Sequence, residues 1–229
     1  TSTNYLSPQD FRKMIDAVPL VTEYNKSKLL GWSKEKVPDP KWIQWALWTQ
    51  YCHALRISEV LTIHANDFNF DRNILTLNHT KTGFKKCRLC SKWKKGKLLY
   101  ADKDCKKCQG KGKYRVKQFT SIPPDYPKWC IQGVISNQPL EDRQMIHMNR
   151  QLLWSYVKKA CQFAKLELGE QQEERYIEGA WTHLLRKSRA SLMDELGAKE
   201  TLIKVKLRHT FTTTQRYTKG DINALIKWE

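Results

Sequence analysis

Apolar residues recur at helical spacing over much of this 229-residue chain. Residues 5–18 predict a helix, because Phe11, Met14 and Ile15 fall on one face and Ser7 followed by Pro8 suits its first turn. The polar residues 19–39 predict helix fragments and loop. Further helical patterns cover residues 42–63, 148–166, 182–196 and 201–207.

A shorter part of the chain has the pattern of strands. Residues 68–79 predict two strands around a turn at Asp71–Asn73, with Ile74, Leu75 and Leu77 favouring a sheet. Residues 116–122 predict another strand, which ends at two prolines. The expected fold class is therefore α+β, mainly α-helical, with one small antiparallel sheet.

The charge balance indicates an anionic partner. The chain has 41 Lys and Arg against 23 Asp and Glu, a formal charge of +18, and such an excess favours binding to a polyphosphate. An anionic membrane is a weaker candidate, because we find no basic amphipathic helix with a bulky apolar face. The sequence shows neither a signal peptide nor a long apolar run. We therefore expect a protein of the cytoplasm or the host-cell nucleoid.

Two C-x-x-C pairs, Cys87/Cys90 and Cys105/Cys108, predict a metal site. Four thiolates from two tight turns suit tetrahedral zinc, provided that the segment between the pairs folds back as a hairpin. Such a site has no open position for water, so we expect a structural ion rather than a catalytic one. A redox dithiol is the competing interpretation. The odd total of seven cysteines argues against a disulfide framework.

The cysteine pairs lie in a strongly basic segment. Residues 81–117 contain fifteen Lys or Arg and only two acidic residues. We expect residues 84–114 to form a zinc-binding insertion, stabilised by the ion because it is too polar to form a core. The surrounding charge predicts that this module lies against phosphates.

Several polar residues in apolar surroundings form a candidate catalytic set. Each has an ordinary explanation by itself, such as an ion pair, a cap or a surface side chain. Together they suit transesterification at a phosphodiester, since guanidinium groups can hold phosphate oxygens and a tyrosine can form a phosphotyrosyl ester without a cofactor. The set consists of Arg56, Glu59, His183, Arg186, His209 and Tyr217.

These residues occur in motifs that resemble the catalytic domain of the tyrosine recombinases, the phage integrase family. A-L-R-I-S-E-V-L around Arg56 is similar to the first arginine box, and T-H-L-L-R-K-S-R-A-S-L-M after residue 181 is similar to the H-x-x-R box. L-R-H-T-F-T-T-T-Q-R-Y resembles the end of the domain, and Y-L-S-P-Q-D-F-R-K-M its start. The resemblance implies one catalytic domain over residues 1–229.

The resemblance also implies a mechanism. Arg56, Arg186 and His209 would bind the scissile phosphate, Glu59 would orient Arg56, and His183 would act as base or hydrogen-bond donor. Tyr217 would be the nucleophile. Lys81, on the β-hairpin, would protonate the leaving oxygen, with Lys85 or Lys86 as alternatives. Family members act as homo-tetramers on double-stranded DNA, and no cofactor is implied for catalysis.

Other interpretations remain at this point. A type IB topoisomerase shares the chemistry, and a catalytically silent, zinc-dependent DNA-binding protein shares the charge and the cysteines. Arg189 would compete with Arg186, although only Arg186 has the right offset from His183. The tail after residue 220 would dock on a neighbouring protomer or pack on its own domain. The matching pattern begins near Tyr5, so we expect either a longer protein with a DNA-clamping domain or a zinc hairpin that supplies part of the grip.

Three departures from the family pattern are visible. The zinc module falls inside the hairpin, and the interval from His209 to Tyr217 is eight residues where nine is common. Arg208 replaces the usual glycine before the histidine. That arginine is expected to restrict the backbone or to add a phosphate contact.

Overall fold

The structure is a computed structural model that describes residues 5–29, 37–78, 84–95, 97–136, 145–146, 148–166, 181–208 and 227–228. In these ranges none of the helices is both long and apolar enough to cross a membrane. The helices are α1 Pro8–Asp16, α2 Val18–Ser27, α3 Pro40–Cys52, α4 Ile57–Val60, α5 Lys128–Ser136, α6 Arg150–Phe163, α7 Trp181–Glu195 and α8 Glu200–Leu207.

Most of these helices pack around one apolar core. The predicted start of α1 is confirmed, since the Ser7 hydroxyl accepts a hydrogen bond from the Asp10 backbone N–H at 3.1 Å. On the core side of α1, the Phe11 ring stacks on Tyr51 of α3 with 4.0 Å between centroids. Trp45 is buried in the same core, and Trp42 and Trp48 pack against it.

The continuous helix predicted over residues 42–63 is wrong. Helix α3 ends at Cys52, and Ala54 adopts a left-handed conformation with φ 49° before the short α4 begins at Ile57. The break turns the carbonyl groups of His53 and Ala54 away from helical hydrogen bonding. Arginines from distant parts of the chain occupy those carbonyls, and this tertiary contact outweighs the local helical pattern.

The predicted antiparallel sheet is confirmed. Strands β1 Phe68–Asn69, β2 Ile74–Leu77 and β7 Gln118–Ser121 form it in the order β1-β2-β7. Asn73 in the turn before β2 has φ 49°, a conformation that asparagine tolerates. The β2–β7 register aligns Ile74 with Ser121 and Leu77 with Gln118, which places the end of β7 beside the start of β2.

The basic insertion forms two further small sheets between β2 and β7 in sequence. Strands β3 Phe84–Lys86 and β6 Lys113–Arg115 pair with each other, and β4 Ser91–Lys94 pairs with β5 Lys97–Ala101. The fold-back expected between the two cysteine pairs is therefore the β4–β5 hairpin. Helix α5, in contrast, lacks a counterpart among the predicted elements.

The end of the chain contacts its own domain. The side chain of Trp228 packs against a small cluster formed by Met193, Ala198 and Val205. For this residue, packing on its own domain is the arrangement that the structure shows.

Candidate active site and candidate metal centre

A buried carboxylate lies at the centre of the candidate active site. Arg56 precedes α4 and Glu59 lies within it, so one turn of chain brings them together. The Arg56 backbone N–H donates to Glu59 Oε2 at 2.8 Å, and its Nη1 donates to Oε1 at 2.9 Å. The Glu59 side chain is fully buried, whereas that of Arg56 is 17% exposed. Glu59 thus fixes an arginine that still reaches the surface.

Helix α7 supplies the second predicted arginine. Arg186 Nη1 lies 4.0 Å from Glu59 Oε2 and donates to the Ala54 carbonyl at 2.6 Å. Its Nη2 donates to the carbonyl of Leu207 at the end of α8. His183 lies one turn earlier on α7 and is exposed. The structure therefore brings Arg56, Glu59 and Arg186 together, with His183 on the same helix as Arg186.

Arg208 is a third arginine on the same carboxylate. It ends α8 in a left-handed conformation, φ 52° and ψ 38°, which costs an arginine about 1–2 kcal/mol. Its Nη2 donates to Glu59 Oε2 at 2.7 Å and to the Ala54 carbonyl at 3.0 Å. The side chain is 3% exposed. The guanidinium is thus buried against Glu59 and the Ala54 carbonyl.

The charges at this site do not balance locally. Burial would raise the pKa of Glu59, but Arg208 and Arg56 outweigh it and hold that pKa below its ordinary value. Burial, reinforced by Arg208 and Arg56, lowers the pKa of Arg186 to about 9. Among the described residues, three guanidinium groups lie around one carboxylate, which leaves a net positive charge in this cluster.

His183 is neutral at physiological pH. Partial removal of its ring from water lowers the pKa of His183, and the positive charges of Arg186 and Arg56 lower it further. A neutral imidazole can accept a proton or donate a single hydrogen bond. The predicted role of His183 as a base requires the neutral form, and the role as a hydrogen-bond donor is compatible with it.

The remaining predicted catalytic residues, Lys81, His209 and Tyr217, lie outside the described residues. Of the alternatives to Lys81, Lys86 has its Nζ over the Trp93 ring at 4.8 Å. Arg189, the alternative to Arg186, donates to Asp125 at 2.6 Å and lies over the Tyr51 ring. The contacts of Arg189 are therefore different from those of Arg186.

A buried lysine close to the site was not predicted. Lys206 of α8 is 0% exposed, and its Nζ donates to the hydroxyl of Ser121 at 2.9 Å and to its carbonyl at 3.3 Å. His53 Nδ1 also lies 2.9 Å from the Ser121 carbonyl, so it must carry the proton. Burial, and then the charge of Lys206, place the pKa of His53 well below its ordinary value. A basic residue in a basic chain gives no signal of such burial.

The four predicted zinc ligands converge. The Sγ atoms of Cys87, Cys90, Cys105 and Cys108 all lie within 4.8 Å of one another. Individual Sγ–Sγ distances are 3.8 Å for Cys87–Cys105, 3.6 Å for Cys87–Cys90 and 3.2 Å for Cys90–Cys108. Tetrahedral zinc with Zn–S bonds of about 2.3 Å requires about 3.8 Å between sulfurs. The donor set fits zinc in number, chemistry and spacing.

Tight turns present these thiols. Gln109 N–H donates to the Cys105 carbonyl at 2.7 Å, and Gly110 and Gly112 have φ values of 76° and 64°, a conformation that favours glycine. Backbone N–H groups, first that of Cys108, lower the pKa of the Cys105 thiol to about 7. These N–H groups therefore favour the thiolate of Cys105, which is the form that binds metal.

Comparison with known proteins identifies the class of protein. The model of the phage integrase family matches residues 20–223. The chain therefore belongs to the phage integrase family, as its motifs indicated.

Among solved structures, the catalytic domain of bacteriophage HP1 integrase is similar, with a TM-score of 0.50 and 12% identity over 98% of this chain and 85% of that chain. This likeness shows the tyrosine recombinase catalytic fold. XerH site-specific recombinase, solved in a pre-cleavage complex with its difH substrate, gives a TM-score of 0.47 at 14% identity, covering 100% of this chain and 55% of that chain. A search of curated proteins gave no match.

Proposed function

We propose that this protein is a site-specific DNA recombinase that cleaves and rejoins duplex DNA through a covalent bond to Tyr217. The observation that carries the proposal is the buried Glu59 carboxylate, which holds Arg56 at 2.9 Å with Arg186 4.0 Å away. Both arginines belong to motifs of the family to which the chain belongs. A phosphate that entered beside them would supply the negative charge that the cluster lacks.

The proposed reaction needs no external energy source. The Tyr217 oxygen attacks the scissile phosphorus, forms a 3′-phosphotyrosyl ester and displaces the 5′ oxygen, while His183 accepts the phenol proton. Lys81 donates a proton to the leaving 5′ oxygen, and Arg56, Arg186 and His209 stabilise the charge on the phosphate. A 5′-hydroxyl of a second strand then attacks the ester, reverses these proton transfers and releases Tyr217.

The proposed partners of the protein are a zinc ion, duplex DNA and further copies of the same chain. The four-cysteine cluster would hold a structural zinc ion, whose role is to order residues 84–114 as an insertion within the catalytic domain. The formal charge of +18 suits double-stranded DNA as the substrate. Exchange between two duplexes requires four active sites, and we expect a homo-tetramer on DNA.

The experiment traps the covalent intermediate. The protein is incubated with a labelled, nicked duplex from its own element, so that the short fragment that carries the released 5′-hydroxyl diffuses away and the ester accumulates. We expect a denaturant-resistant adduct, and peptide mass spectrometry should locate the nucleotide on Tyr217. The Tyr217→Phe variant, which keeps the ring but lacks the attacking oxygen, is the control and should give no adduct.

Other outcomes would contradict the proposal. An adduct on another residue, or one that persists in Tyr217→Phe, would exclude Tyr217 as the nucleophile. DNA binding without any adduct would favour the DNA-binding protein. An adduct together with relaxation of supercoiled DNA, but without strand transfer between duplexes, would favour the topoisomerase.

A further inference from the structure

The β4–β5 hairpin has two chemically different faces. In its register Trp93 lies opposite Leu98, whereas Lys92 lies opposite Tyr100 and Lys94 opposite Lys97. Directly opposed residues of an antiparallel pair project to the same side. Trp93 and Leu98 therefore share one face, and Lys92, Lys94, Lys97 and Tyr100 form the other, which we call the basic hairpin face.

The apolar face packs against the zinc-binding turns. A Cβ atom at Gly112 would lie 2.4 Å from Leu98 Cδ1, so the leucine rests directly on this glycine. The Ser91 hydroxyl joins the same region, since it donates to the Gly112 carbonyl at 3.1 Å and accepts from Trp93 Nε1 at 2.8 Å. These contacts attach one face of the hairpin to the module and leave the basic hairpin face outward.

The basic hairpin face has no internal charge compensation. Its three lysines and Tyr100 are exposed, and across the described ranges no carboxylate forms an ion pair with these lysines. Residues 84–115 contain thirteen Lys or Arg and two acidic residues. The two acidic residues, Asp102 and Asp104, follow β5, and the backbone of Asp102 contacts both cysteine pairs: its N–H donates to the Cys90 carbonyl and its carbonyl accepts from the Cys105 N–H.

We infer that the basic hairpin face binds the phosphate backbone of duplex DNA, which rests on the function proposed above. Three exposed ammonium groups on one face of a short hairpin would displace counterions from successive phosphates. The Tyr100 ring, 58% exposed, would lie against the sugar edges between them. Contacts of this kind give affinity without sequence preference.

The test measures the salt dependence of binding to a duplex of arbitrary sequence. In the triple variant Lys92→Gln, Lys94→Gln, Lys97→Gln, each lost contact should reduce the slope of log K against log salt by about 0.9. We therefore expect a slope smaller by up to about 3 and an affinity lower by roughly ten-fold or more at low salt. Fluorescence anisotropy with a labelled duplex provides both quantities.

A matched control distinguishes the effect of losing the basic hairpin face from the effect of lowering the net charge. The variant Lys103→Gln, Lys106→Gln, Lys111→Gln removes the same charge from exposed positions around the second cysteine pair. Zinc content is measured in both variants. An unchanged slope in the first variant, or an equal loss in the control, would overturn the inference. The covalent-adduct assay run in parallel distinguishes this failure from that of the proposed recombinase, because the adduct depends on Tyr217.

A second observation concerns Arg208, at the position where the family usually has glycine. Its Nη1 donates to the carbonyls of Lys206 at 2.8 Å and His53 at 3.3 Å, while its Nη2 contacts Glu59 and Ala54. The turn before α4, the Glu59 carboxylate and the end of α8 are thus joined by one side chain. Residue 209, a predicted phosphate ligand, follows directly.

We infer that Arg208 is a positioning residue for the two phosphate-binding arginines. It holds one oxygen of Glu59, whose other oxygen holds Arg56 Nη1. It also shares the Ala54 carbonyl with Arg186. Removal of the guanidinium would take one hydrogen-bond donor from Glu59 and one from that carbonyl, so the contacts that position Arg56 and Arg186 would both be weakened.

Replacement by glycine provides a sharp test because glycine suits the left-handed backbone. We expect Arg208→Gly to slow single-turnover cleavage by about ten- to a hundred-fold, as small displacements of catalytic groups do, with little change in DNA affinity. Arg208→Lys keeps a cation within reach of Glu59 and should recover part of the rate. The charged groups facing Glu59 are Arg56, Arg186 and Arg208.

The pH profile distinguishes positioning from mere packing. Arg208 lowers the pKa of Glu59, so its loss should raise that pKa and move the acid limb of the cleavage profile to higher pH. In Arg208→Lys the limb should move back. Full activity in Arg208→Gly, or equal losses in both variants with an unmoved acid limb, would overturn the inference.

Discussion

Replacing Glu59 by Gln is expected to destabilise the protein by about 3–5 kcal/mol and to slow DNA cleavage by about a hundred-fold. The substitution preserves the size of a fully buried side chain but removes the carboxylate that pairs with Arg208 at 2.7 Å and with Arg56 at 2.9 Å. Arg208 is almost completely buried, so water cannot take the place of the lost carboxylate. Thermal unfolding and single-turnover cleavage measure the two effects.

The acid dependence of stability should change in the same variant. The pKa of Glu59 is held below its ordinary value, so its ion pairs stabilise the native state above about pH 4.5 and lose that contribution as the pH falls through the lowered pKa. In Glu59→Gln this contribution is absent at every pH. The stability difference between the two proteins should therefore narrow as the pH falls below about 4.

An exposed ion pair of similar length provides the control. Glu23 lies 2.9 Å from Lys26, but its side chain is 71% exposed. Glu23→Gln should change stability by less than about 1 kcal/mol, since solvent screens the pair, and cleavage should be unaffected. Equal unfolding temperatures in the two variants would contradict the structural role assigned to Glu59.

Local patterns in the sequence were sufficient for much of the fold. Helix α1 could be predicted because its cap at Ser7 and its apolar stripe are both local features. The sheet was predictable because the turn at Asn73 and the alternation in β2 lie within a few residues. Helix α5 was harder, since among its described side chains only Cys130 and Val134 are buried.

Features that depend on distant contacts could not be predicted. The apolar pattern of residues 42–63 continues through the helix break at Ala54, so the pattern does not reveal the break. The carbonyl of Ala54 accepts hydrogen bonds from Arg186 and Arg208, which are more than 130 residues away. Lys206 looks like an ordinary surface lysine, yet it is buried against Ser121 of another element. In each case the local structure depends on a hydrogen bond between residues far apart in sequence, and the spacing of residues in the sequence does not indicate such a bond.

The candidate site likewise has a part that the sequence predicts and a part that depends on distant contacts. Arg56 with Glu59 and His183 with Arg186 were recognisable because each pair lies within one helical turn and in a family motif. The convergence of both pairs on one carboxylate required the packing of α7 beside α4. The role of Arg208 depends on a carboxylate 149 residues earlier, so the sequence identified it only as a departure from glycine.

Loss of one zinc ligand is expected to unfold the insertion while leaving the rest of the domain intact. Cys108→Ser should reduce bound zinc from one ion per chain to none, because three thiolates bind zinc much more weakly than four, and structural zinc sites contribute roughly 10–16 kcal/mol to folding. Apart from its cysteines the module has little apolar burial: Leu98, Leu99 and Tyr100 are 40%, 64% and 58% exposed. Without the ion, nothing of comparable strength joins its strands.

Hydrogen exchange measures the loss of structure separately in the insertion and in the rest of the domain, and metal analysis measures the bound zinc. Amides of β3–β6 should lose protection in Cys108→Ser, whereas those of β2, β7 and the helices should keep it. Cys161→Ala is the matched control: this cysteine is buried in the main core, so its loss should lower the unfolding temperature without releasing zinc.

Protection of β4 and β5 in metal-free protein, or a purified protein whose four thiols all react freely, would contradict a structural zinc site. If the module unfolds as expected, its DNA contacts should disappear with it, because the basic hairpin face depends on the packing of Leu98 against Gly112.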